Sequence, residues 1–239
     1  MTTTRRHRSG AKTVERREEI VQAAAQLFFE KGYDVTSIKD IADAAGLLKG
    51  SLYYYVDSKE DFLFDIIKQS HEGARELLER VRLFEGDPLE RLAVLIAEHL
   101  RFHTSNLVNT TIYFREFRVL SPERRRMIQA DGDRYLDFVG ELLHEGQQEG
   151  LISDAVDVRV VAIGLVGLLN SAWLWYQPGG SRSSSELAGE FARIMLSGIA
   201  SDTRLMDAGG AERFREAVRV AALSVAEATG SVNANGRTK

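Results

Sequence analysis

The sequence predicts an all-α protein, and three observations support that prediction. Apolar residues recur at intervals of three and four through most of the 239 residues, which is the spacing of an amphipathic helix. Only three prolines interrupt the chain, so long helices meet few obstacles. No stretch alternates apolar and polar residues over a length that favours a strand. A hydrophobic fraction of 44% is enough to bury a core, which excludes a disordered chain.

The first 57 residues predict an arm and three short helices. Residues 1–12 form a basic arm that we expect to be disordered. Apolar positions at helical spacing predict a first helix from about Thr13 to Lys31, with Gly32 as its stop. Ser37 and Asp40 form a capping box that starts a second helix, which ends at Gly46.

The third helix follows a tight glycine turn. It covers the aromatic stretch from Lys49 to Val56, directly after Gly46-Leu47-Leu48. Two short helices on either side of such a turn are the helix-turn-helix layout, in which the first helix braces the second against the major groove of DNA. Residues 13–57 therefore predict a DNA-binding domain.

A larger helical domain is predicted over residues 58–229, before a disordered tail at 230–239. Ser58 and Asp61 start a long helix, and Pro88 and Pro122 mark the beginnings of later ones. The nearly all-apolar stretch from about Val156 to Tyr176 predicts one continuous helix. The remaining helices are expected in an aromatic segment and two amphipathic segments, at residues 109–118, 183–201 and 212–228.

Positive charge is concentrated at the beginning of the chain. Residues 1–17 hold six lysines and arginines against one glutamate, although the whole chain carries a net charge of −4. DNA binding depends on the positive charge of the surface that touches the phosphates, not on the net charge of the whole chain, because the energy comes from releasing the counterions around those phosphates. The acidic whole therefore does not exclude a nucleic-acid partner.

The apolar stretch at residues 160–176 carries no charge, but it is shorter than the roughly 20 residues that a bilayer requires. The basic start leads into an amphipathic stretch, unlike a secretory signal. We therefore expect a cytoplasmic protein with no membrane partner.

Composition also argues against an enzyme. The chain has no cysteine, which excludes disulfide scaffolds, cysteine-ligated zinc, iron–sulfur clusters and thiol catalysis. His99 and His103 lie four residues apart, but no third ligand is evident, so neither a metal nor another cofactor is predicted. Catalytic and nucleotide-binding motifs such as GxSxG, the P-loop and GxGxxG do not occur. A catalytic constellation assembled only in space is an open alternative.

The N-terminal pattern is specific in both residue type and spacing. It reads Ile20-x-x-Ala-Ala-x-x-Leu-Phe-x-x-Lys-Gly-Tyr33, Thr36-Ser-Ile-x-Asp-Ile-Ala-x-Ala-Ala-Gly46, Gly50-Ser-Leu-Tyr-Tyr-Tyr-Val56 and Ser58-Lys-Glu-Asp-Phe62. This pattern resembles the N-terminal domain of TetR-family regulators. The resemblance implies a homodimer whose third helices enter successive major grooves of a palindromic double-stranded operator. It also implies a C-terminal helical domain for ligand binding and dimerisation, which binds a small-molecule effector and releases the DNA.

The resemblance assigns DNA contacts to nine residues: Ser37, Lys39, Lys49, Gly50, Ser51, Tyr53, Tyr54, Tyr55 and Lys59. Lys49 can donate to guanine, and Gly50 lets the backbone approach the duplex. Tyrosine hydroxyls and Lys59 can reach phosphates. Alternatives remain: Tyr53 is a core tyrosine with its hydroxyl at the surface, or Lys39 and Lys59 are solvated charges. The arm either enters a minor groove or adds only to the ionic atmosphere. Leu48 departs from the serine or threonine that often caps this helix in the family.

Small residues predict a dimer interface in the apolar stretch. Gly164, Gly167 and Ser171 fall on one side of the helix, where they allow close backbone approach. Phe191 and Met195 of the following helix complete the predicted interface. The alternative is a tightly packed contact within one chain.

Aromatic and polar residues predict an effector pocket. Phe102, Tyr113, Phe114, Phe117 and Trp173 supply an apolar wall, and Asn106, Arg118 and Asn170 can orient a polar ligand. The segment Tyr113 to Arg118, followed by Ser121-Pro122, is similar to that of family members that regulate fatty-acid or sterol catabolism and bind acyl-CoA thioesters. Arg115, Arg118 or the run Arg124-Arg125-Arg126 would then meet CoA phosphates. The alternative for that run is a solvated helix face.

The predicted function is a sequence-specific DNA-binding transcriptional regulator, a repressor released from its operator by a small molecule such as an acyl-CoA thioester. Two alternatives are kept. One is a DNA-binding protein without an effector, and the other is an enzyme on a helical scaffold.

Overall fold

The computed structural model describes residues 3–201 together with Glu212, Glu216 and Arg219, with side chains from Thr13 onward. Within that part the chain is helical, and its only extended pairing is an isolated antiparallel bridge between Ile152 and Ala200. The all-α class is confirmed. The helix predicted over 212–228, apart from the three residues named, and the tail at 230–239 lie outside the described residues.

The helices follow one another with short connections. In chain order they are α1 Thr3–Lys31, α2 Ile38–Ala44, α3 Lys49–Leu52, α4 Lys59–Leu83, α5 Pro88–Ser105, α6 Leu107–Glu116, a 3₁₀ turn at Phe117–Val119, α7 Pro122–Gln148, α8 Val158–Asn170, α9 Ala172–Trp175 and α10 Ser184–Ser197.

The chain divides into two compact units. The first unit holds Met1–Glu72 and Asn106–Ala130, and the second holds Gly73–Ser105 and Asp131–Lys239. The first unit therefore includes the beginning of α4 and the segment from Asn106 to Ala130. The sequence analysis assigned both of these to the larger domain.

Helix α1 begins earlier than expected. Its backbone is helical from Thr3, where the sequence analysis expected a disordered arm up to residue 12. The segment contains no proline, and its single Gly10 costs only about 1 kcal/mol relative to alanine, so nothing local ends the helix there. The side chains of residues 1–12 lie outside the described part of the structure. Whether this arm enters a minor groove or adds only to the ionic atmosphere therefore stays a question of the sequence analysis.

A Schellman motif closes α2 and sets the turn before α3. Gly46 adopts a φ of 65°, which a residue without Cβ does at little cost. Its amide donates to the carbonyl of Asp43 at 3.1 Å, and the amide of Leu47 donates to that of Ala42 at 2.8 Å. Ser37 and Asp40 form the predicted capping box at the other end of α2. Both local predictions are confirmed.

Helix α3 is shorter than expected, because it ends at Leu52 instead of continuing to Val56. The amide of Tyr54 donates to the carbonyl of Ser51 at 3.3 Å, so the tyrosines form turns beyond the helix. Aromatic side chains lose rotamer freedom in a helix, and three in succession weaken its continuation.

The core of the first unit is continuous. Phe28 of α1, Ile41 of α2, Leu52 of α3 and Phe62 of α4 are each at most 1% exposed and belong to one cluster. Burying Leu52 here orients the single turn of α3. The helix-turn-helix is therefore held by packing more than by its own hydrogen bonds.

In the second unit, α5 packs against α10, α8 and α9. The predicted single helix over residues 156–176 is corrected to two helices that break at Ser171. The hydroxyl of Ser171 donates to the carbonyl of Leu168 at 2.7 Å, and its amide donates to Leu168 and Leu169. Such side-chain bonding competes with the regular helix ladder. Helix α10 ends at Ser197 rather than near Ser201. Beyond it, the amide of Ser153 donates to the carbonyl of Ile199, and the amide of Ser201 donates to that of Leu151, each at 2.9 Å.

The segment Val158–Trp175 is long and apolar enough, by composition alone, to cross a membrane, with a mean hydropathy of 1.6. It is only 28% buried. Its buried residues, Ala162, Leu165, Leu169 and Ala172, belong to the core of the second unit, and its exposed apolar residues are Val160, Ile163, Leu168, Leu174 and Trp175.

Candidate nucleic-acid interface

The beginning of α3 presents an exposed, positively charged surface. Lys49, Gly50 and Ser51 are all exposed. Within the described part of the chain, no acceptor lies within hydrogen-bonding distance of the Lys49 ammonium. A Cβ added at Gly50 would meet no atom within 4 Å. Intrachain packing therefore does not require glycine at this position, and the backbone is open to a partner.

The tyrosines after α3 separate into two environments. Tyr53 is 50% exposed and Tyr54 is 77% exposed, whereas Tyr55 packs partly against the core of the first unit. The rings of Tyr54 and Tyr55 meet edge to face with centroids 5.2 Å apart. Tyr53 is therefore not a core residue, and the hydroxyls of Tyr53 and Tyr54 are the ones most available to phosphates.

Two of the predicted contacts at α2 already have partners in the chain. The hydroxyl of Ser37 donates to the Asp40 carboxylate at 2.6 Å and accepts from the Asp40 amide at 3.1 Å. The Lys39 ammonium donates to Asp43 at 2.9 Å, and this hydrogen bond raises the pKa of Lys39. Both residues are exposed, so a phosphate would have to compete with these partners.

Lys59 has a different environment from the one predicted. Its ammonium donates to the carbonyl oxygens of Tyr33 at 2.7 Å, Asp34 at 3.3 Å and Thr36 at 3.0 Å. It also lies 4.1 Å from the centroid of the Tyr33 ring. A lysine ammonium has three N–H donors, and all three are directed to the turn between α1 and α2. The alternative of a solvated charge is wrong, and a phosphate contact would require breaking one of these bonds.

Arg16 and Arg17 belong to the basic beginning of the chain, yet both bind within the first unit. Arg16 donates to the carbonyl of Ala45 at 2.7 Å, at the carboxyl end of α2. Arg17 pairs with Asp65 of α4 at 2.6 Å. The sequence analysis missed both roles, since their partners lie far along the chain. The positive charge available to DNA is correspondingly smaller than the count suggests.

Arg124 of α7 joins the amino end of α4. It pairs with Asp61, lies 3.4 Å from Glu60 and covers the Phe64 ring at 5.0 Å from its centroid. Burial alone would raise the pKa of Asp61, but the hydrogen bonds from Arg124 and from Ser58 outweigh it and lower that pKa. A cavity of about 280 Å³ lies beside this network and is lined by Arg17, Tyr55, Val56, Asp57, Asp61, Phe64, Asp65 and Arg124.

Three of the predicted effector residues meet in the first unit. Tyr113 contacts Phe114 and Phe117, with ring centroids 4.6 Å and 5.6 Å apart, and His71 joins them at 5.0 Å. Burial raises the pKa of Tyr113. Asn106 lies at the amino end of α6, where its carbonyl accepts from the Thr110 hydroxyl at 3.0 Å.

Arg118 also belongs to the first unit. Its side chain is exposed, and its carbonyl accepts from Arg125 at 3.0 Å. It is therefore available to a ligand but is not part of the aromatic cluster.

The other predicted effector residues, Phe102, Asn170 and Trp173, lie in the second unit. Asn170 accepts from the Nε2 of His99 at 3.2 Å, and the Nδ1 of the same ring bonds the Tyr135 hydroxyl at 2.7 Å. Burial and then the neighbouring His103 hold the pKa of His99 well below 6.5. Phe102 packs so closely on Gly73 that a Cβ there would lie 2.3 Å from the ring. Trp173 is partly exposed.

The His99 and His103 rings stack with centroids 4.3 Å apart. No group of three or more metal-binding side chains occurs among the residues described.

Of the predicted dimer residues, Gly164 and Gly167 are exposed, whereas Ser171, Phe191 and Met195 are partly buried. A Cβ at Gly164 or Gly167 would meet no atom within 4 Å, so a close contact within the chain does not explain these glycines. Ser171 accepts from the indole of Trp175 at 3.0 Å, and Phe191 stacks on the same indole. Met195 packs partly against the core. We define the α8–α10 apolar surface by Gly164 and Gly167 together with the exposed residues Val160, Ile163, Leu168, Leu174, Trp175 and Ile194.

A helix-turn-helix with an exposed basic α3, joined to a second helical unit, defines a DNA-binding regulator. Comparison with known families identifies which kind. Residues 20–66 match the model of bacterial regulatory proteins of the tetR family, and residues 85–199 match the tetracyclin repressor-like C-terminal domain.

Individual relatives agree with both domain matches. The chain is 29% identical over 190 residues to the HTH-type transcriptional repressor KstR2 of Rhodococcus jostii, covering 78% of this chain and 92% of the relative. A TetR/AcrR-family regulator from Thermobifida fusca has a similar structure, with 36% identity, a TM-score of 0.63 and coverage of 77% and 98%. AibR, in complex with isovaleryl coenzyme A and operator DNA, is 29% identical with a TM-score of 0.69 and coverage of 75% and 97%.

The chain belongs to the TetR family and is a DNA-binding transcriptional regulator. The predictions of family, fold class and regulatory function are confirmed. The family is one of regulators rather than of enzymes.

Proposed function

We propose that this chain is a homodimeric cytoplasmic repressor, which binds a palindromic operator and leaves it when an acyl-CoA thioester binds. The observation that carries the proposal is the exposed beginning of α3. There the Lys49 ammonium has no intrachain acceptor among the described residues, and the Gly50 backbone faces open space. A lysine in this position can donate to the O6 and N7 atoms of guanine in the major groove.

The α8–α10 apolar surface supports a dimer. It exposes Val160 by 66%, Ile163 by 54% and Ile194 by 59%, beside two glycines that have no neighbour above them. Large exposed apolar patches are uncommon on monomers and are typical of protein–protein interfaces. A two-fold dimer would present two α3 helices to half-sites about 34 Å apart, which matches a palindromic operator.

Three features support an acyl-CoA effector. The cluster around Tyr113, in the first unit, offers an apolar wall for an acyl chain. The exposed Arg118 and Arg126 can pair with phosphates. AibR, of which 97% matches 75% of this chain, binds isovaleryl coenzyme A.

Release requires that the effector prefer one state of the dimer. A ligand that binds the DNA-competent and DNA-free states equally would shift nothing, however tightly it binds. The proposal therefore predicts reciprocal coupling: operator DNA weakens acyl-CoA binding by the same factor by which acyl-CoA weakens operator binding.

A mobility-shift experiment with the DNA upstream of the chain's own gene tests the proposal. We expect a specific complex that isovaleryl-CoA or longer acyl-CoA thioesters dissociate, while free CoA and the matching free acids do not. The Lys49→Ala variant should lose about 1–3 kcal/mol on the operator, and much less on random DNA. Lys68→Ala, at an exposed site on α4, is the matched control. A complex that no thioester dissociates would favour the effector-independent alternative.

A further inference from the structure

Leu48 is the most exposed large hydrophobic side chain in the described part of the protein. It is 81% exposed, and it directly precedes Lys49 at the beginning of α3. Burying a leucine is worth about 1.5–3 kcal/mol, so an exposed one forgoes that stabilisation. Single exposed leucines are common on protein surfaces, but this one lies where a recognition helix meets base edges.

The backbone around Leu48 is held on both sides. The amide of Leu47 closes the Schellman motif on Ala42 at 2.8 Å, and the carbonyl of Leu48 accepts from the amide of Ser51 at 2.9 Å. Leu47 packs partly against the core, and Leu48 has an extended conformation with φ −72° and ψ 143°. Since consecutive side chains point in opposite directions in extended backbone, the burial of Leu47 turns Leu48 outward. The backbone at Leu48 is therefore already ordered before a partner covers the side chain.

The chemistry of leucine limits what this side chain can contact. It has neither donor nor acceptor, and it makes no capping hydrogen bond to α3. It therefore cannot bind a phosphate oxygen, as a serine or threonine at this position would. In the major groove, the apolar group that distinguishes one base from another is the C5-methyl of thymine.

We propose that Leu48 is a specificity-determining residue, whose side chain packs on the C5-methyl group of a thymine in each operator half-site. The inference rests on the proposed base contact by the beginning of α3 and extends it from one hydrogen-bonding residue to an apolar one. Lys49 then selects a guanine and Leu48 selects a thymine, so that consecutive residues distinguish bases by different chemistry.

The test uses an operator selected from random duplexes by the full-length protein. Each thymine is replaced in turn, at both symmetry-related positions, by deoxyuridine, which lacks only the C5-methyl group. We expect the wild-type protein to lose about fourfold affinity per methyl group at one thymine position, and to be indifferent at the others.

The Leu48→Ala variant should bind the unmodified operator more weakly and should lose no further affinity with deoxyuridine at that same position. Its affinity for random DNA and its thermal unfolding should not change, because the side chain has little contact with the fold. Leu83→Ala, which removes another exposed leucine outside the helix-turn-helix, should behave as the wild type. Leu48→Ser serves as a second variant and should shift the selected base at that position.

Two results would overturn the inference while the DNA-binding function stands. One is a selected operator in which deoxyuridine has no effect at any thymine. The other is a Leu48→Ala variant that keeps the full sensitivity to deoxyuridine. A selection that enriches no sequence at all would instead overturn the base-recognition function together with the inference.

Discussion

The ammonium of Lys59 lies 2.7 Å from the carbonyl oxygen of Tyr33 and 4.1 Å from the centroid of the ring of the same residue. With Asp34 and Thr36, Tyr33 surrounds this charge with three carbonyl oxygens. The turn that they form leads directly into Ser37 and α2. Lys59, the first residue of α4, therefore stabilises the turn that leads into the helix-turn-helix.

Replacing Lys59 should lower stability without changing the number of phosphate contacts. We expect Lys59→Met to lose about 1–3 kcal/mol of unfolding free energy, because hydrogen bonds to a charged group are lost and the partly buried carbonyls of Tyr33 and Thr36 lose a donor. The slope of log affinity against log salt should remain that of the wild type. Urea unfolding and a salt titration of operator binding measure both quantities. Lys68→Met on the same helix is the control, and a slope reduced by about one would instead establish a phosphate contact.

Replacing Gly50 should separate folding from DNA binding. A Cβ at Gly50 meets nothing within 4 Å, so Gly50→Ala should stabilise the protein by up to about 1 kcal/mol through helix propensity. Operator affinity should nevertheless fall, because the methyl group occupies space that a close duplex would fill. Gly132→Ala in α7 is matched, since its Cβ also meets nothing within 4 Å. It should stabilise without affecting DNA, and equal DNA binding by both variants would contradict a close backbone approach.

Charges on the α8–α10 apolar surface should separate the dimer. Ile163 and Leu168 are 54% and 41% exposed, so Ile163→Asp with Leu168→Asp places two carboxylates on this surface with little effect on the core. Buried without partners in a dimer, they would cost several kcal/mol. Sedimentation velocity should then show a monomer with wild-type helicity that has lost operator affinity. Leu83→Asp, at a 79% exposed site, should remain a dimer. A double variant that sediments as the wild type would place the interface elsewhere.

The buried His99 should make stability depend on pH. Burial and the stacked His103 lower its pKa well below 6.5, so the folded protein keeps it neutral where the unfolded chain binds a proton. The stabilisation is fully present above pH 6.5 and is lost as the pH falls toward the folded pKa. The loss approaches about 1.4 kcal/mol per pH unit.

Urea unfolding between pH 7.5 and pH 5 should show this decline in the wild type. His99→Asn should flatten it, whereas His144→Asn, at an exposed site, should not. A His99→Asn variant with an undiminished slope would assign the pH dependence to other groups.

Local features of this fold were predictable from the sequence. The cap at Ser37 and the turn at Gly46 depend on residues at most a few positions apart, and the structure has both. Ser58 and Asp61 likewise predicted the beginning of a long helix, and α4 begins at Lys59. Short-range hydrogen bonding and helical periodicity are properties of neighbouring residues, so they can be recognised without knowing the fold.

The missed features depend on residues distant in the chain. Lys59 lies 26 residues from Tyr33, Arg16 lies 29 from Ala45 and Arg124 lies 63 from Asp61. Nothing in the sequence indicated that these cations have partners within the chain. Each one contacts its carbonyl or carboxylate only because the fold places distant segments side by side.

The sequence by itself determined the helical class, the helix-turn-helix and the family, because periodicity, caps and glycine turns act over one or two turns of chain. The tertiary structure decided which cations are free for DNA and which are bound within the protein. It also decided that Leu47 packs inward while Leu48 faces out. Those outcomes depend on which surfaces meet when distant segments pack. The free energy of such a contact depends on both segments together, so it cannot be derived from the sequence of either one alone.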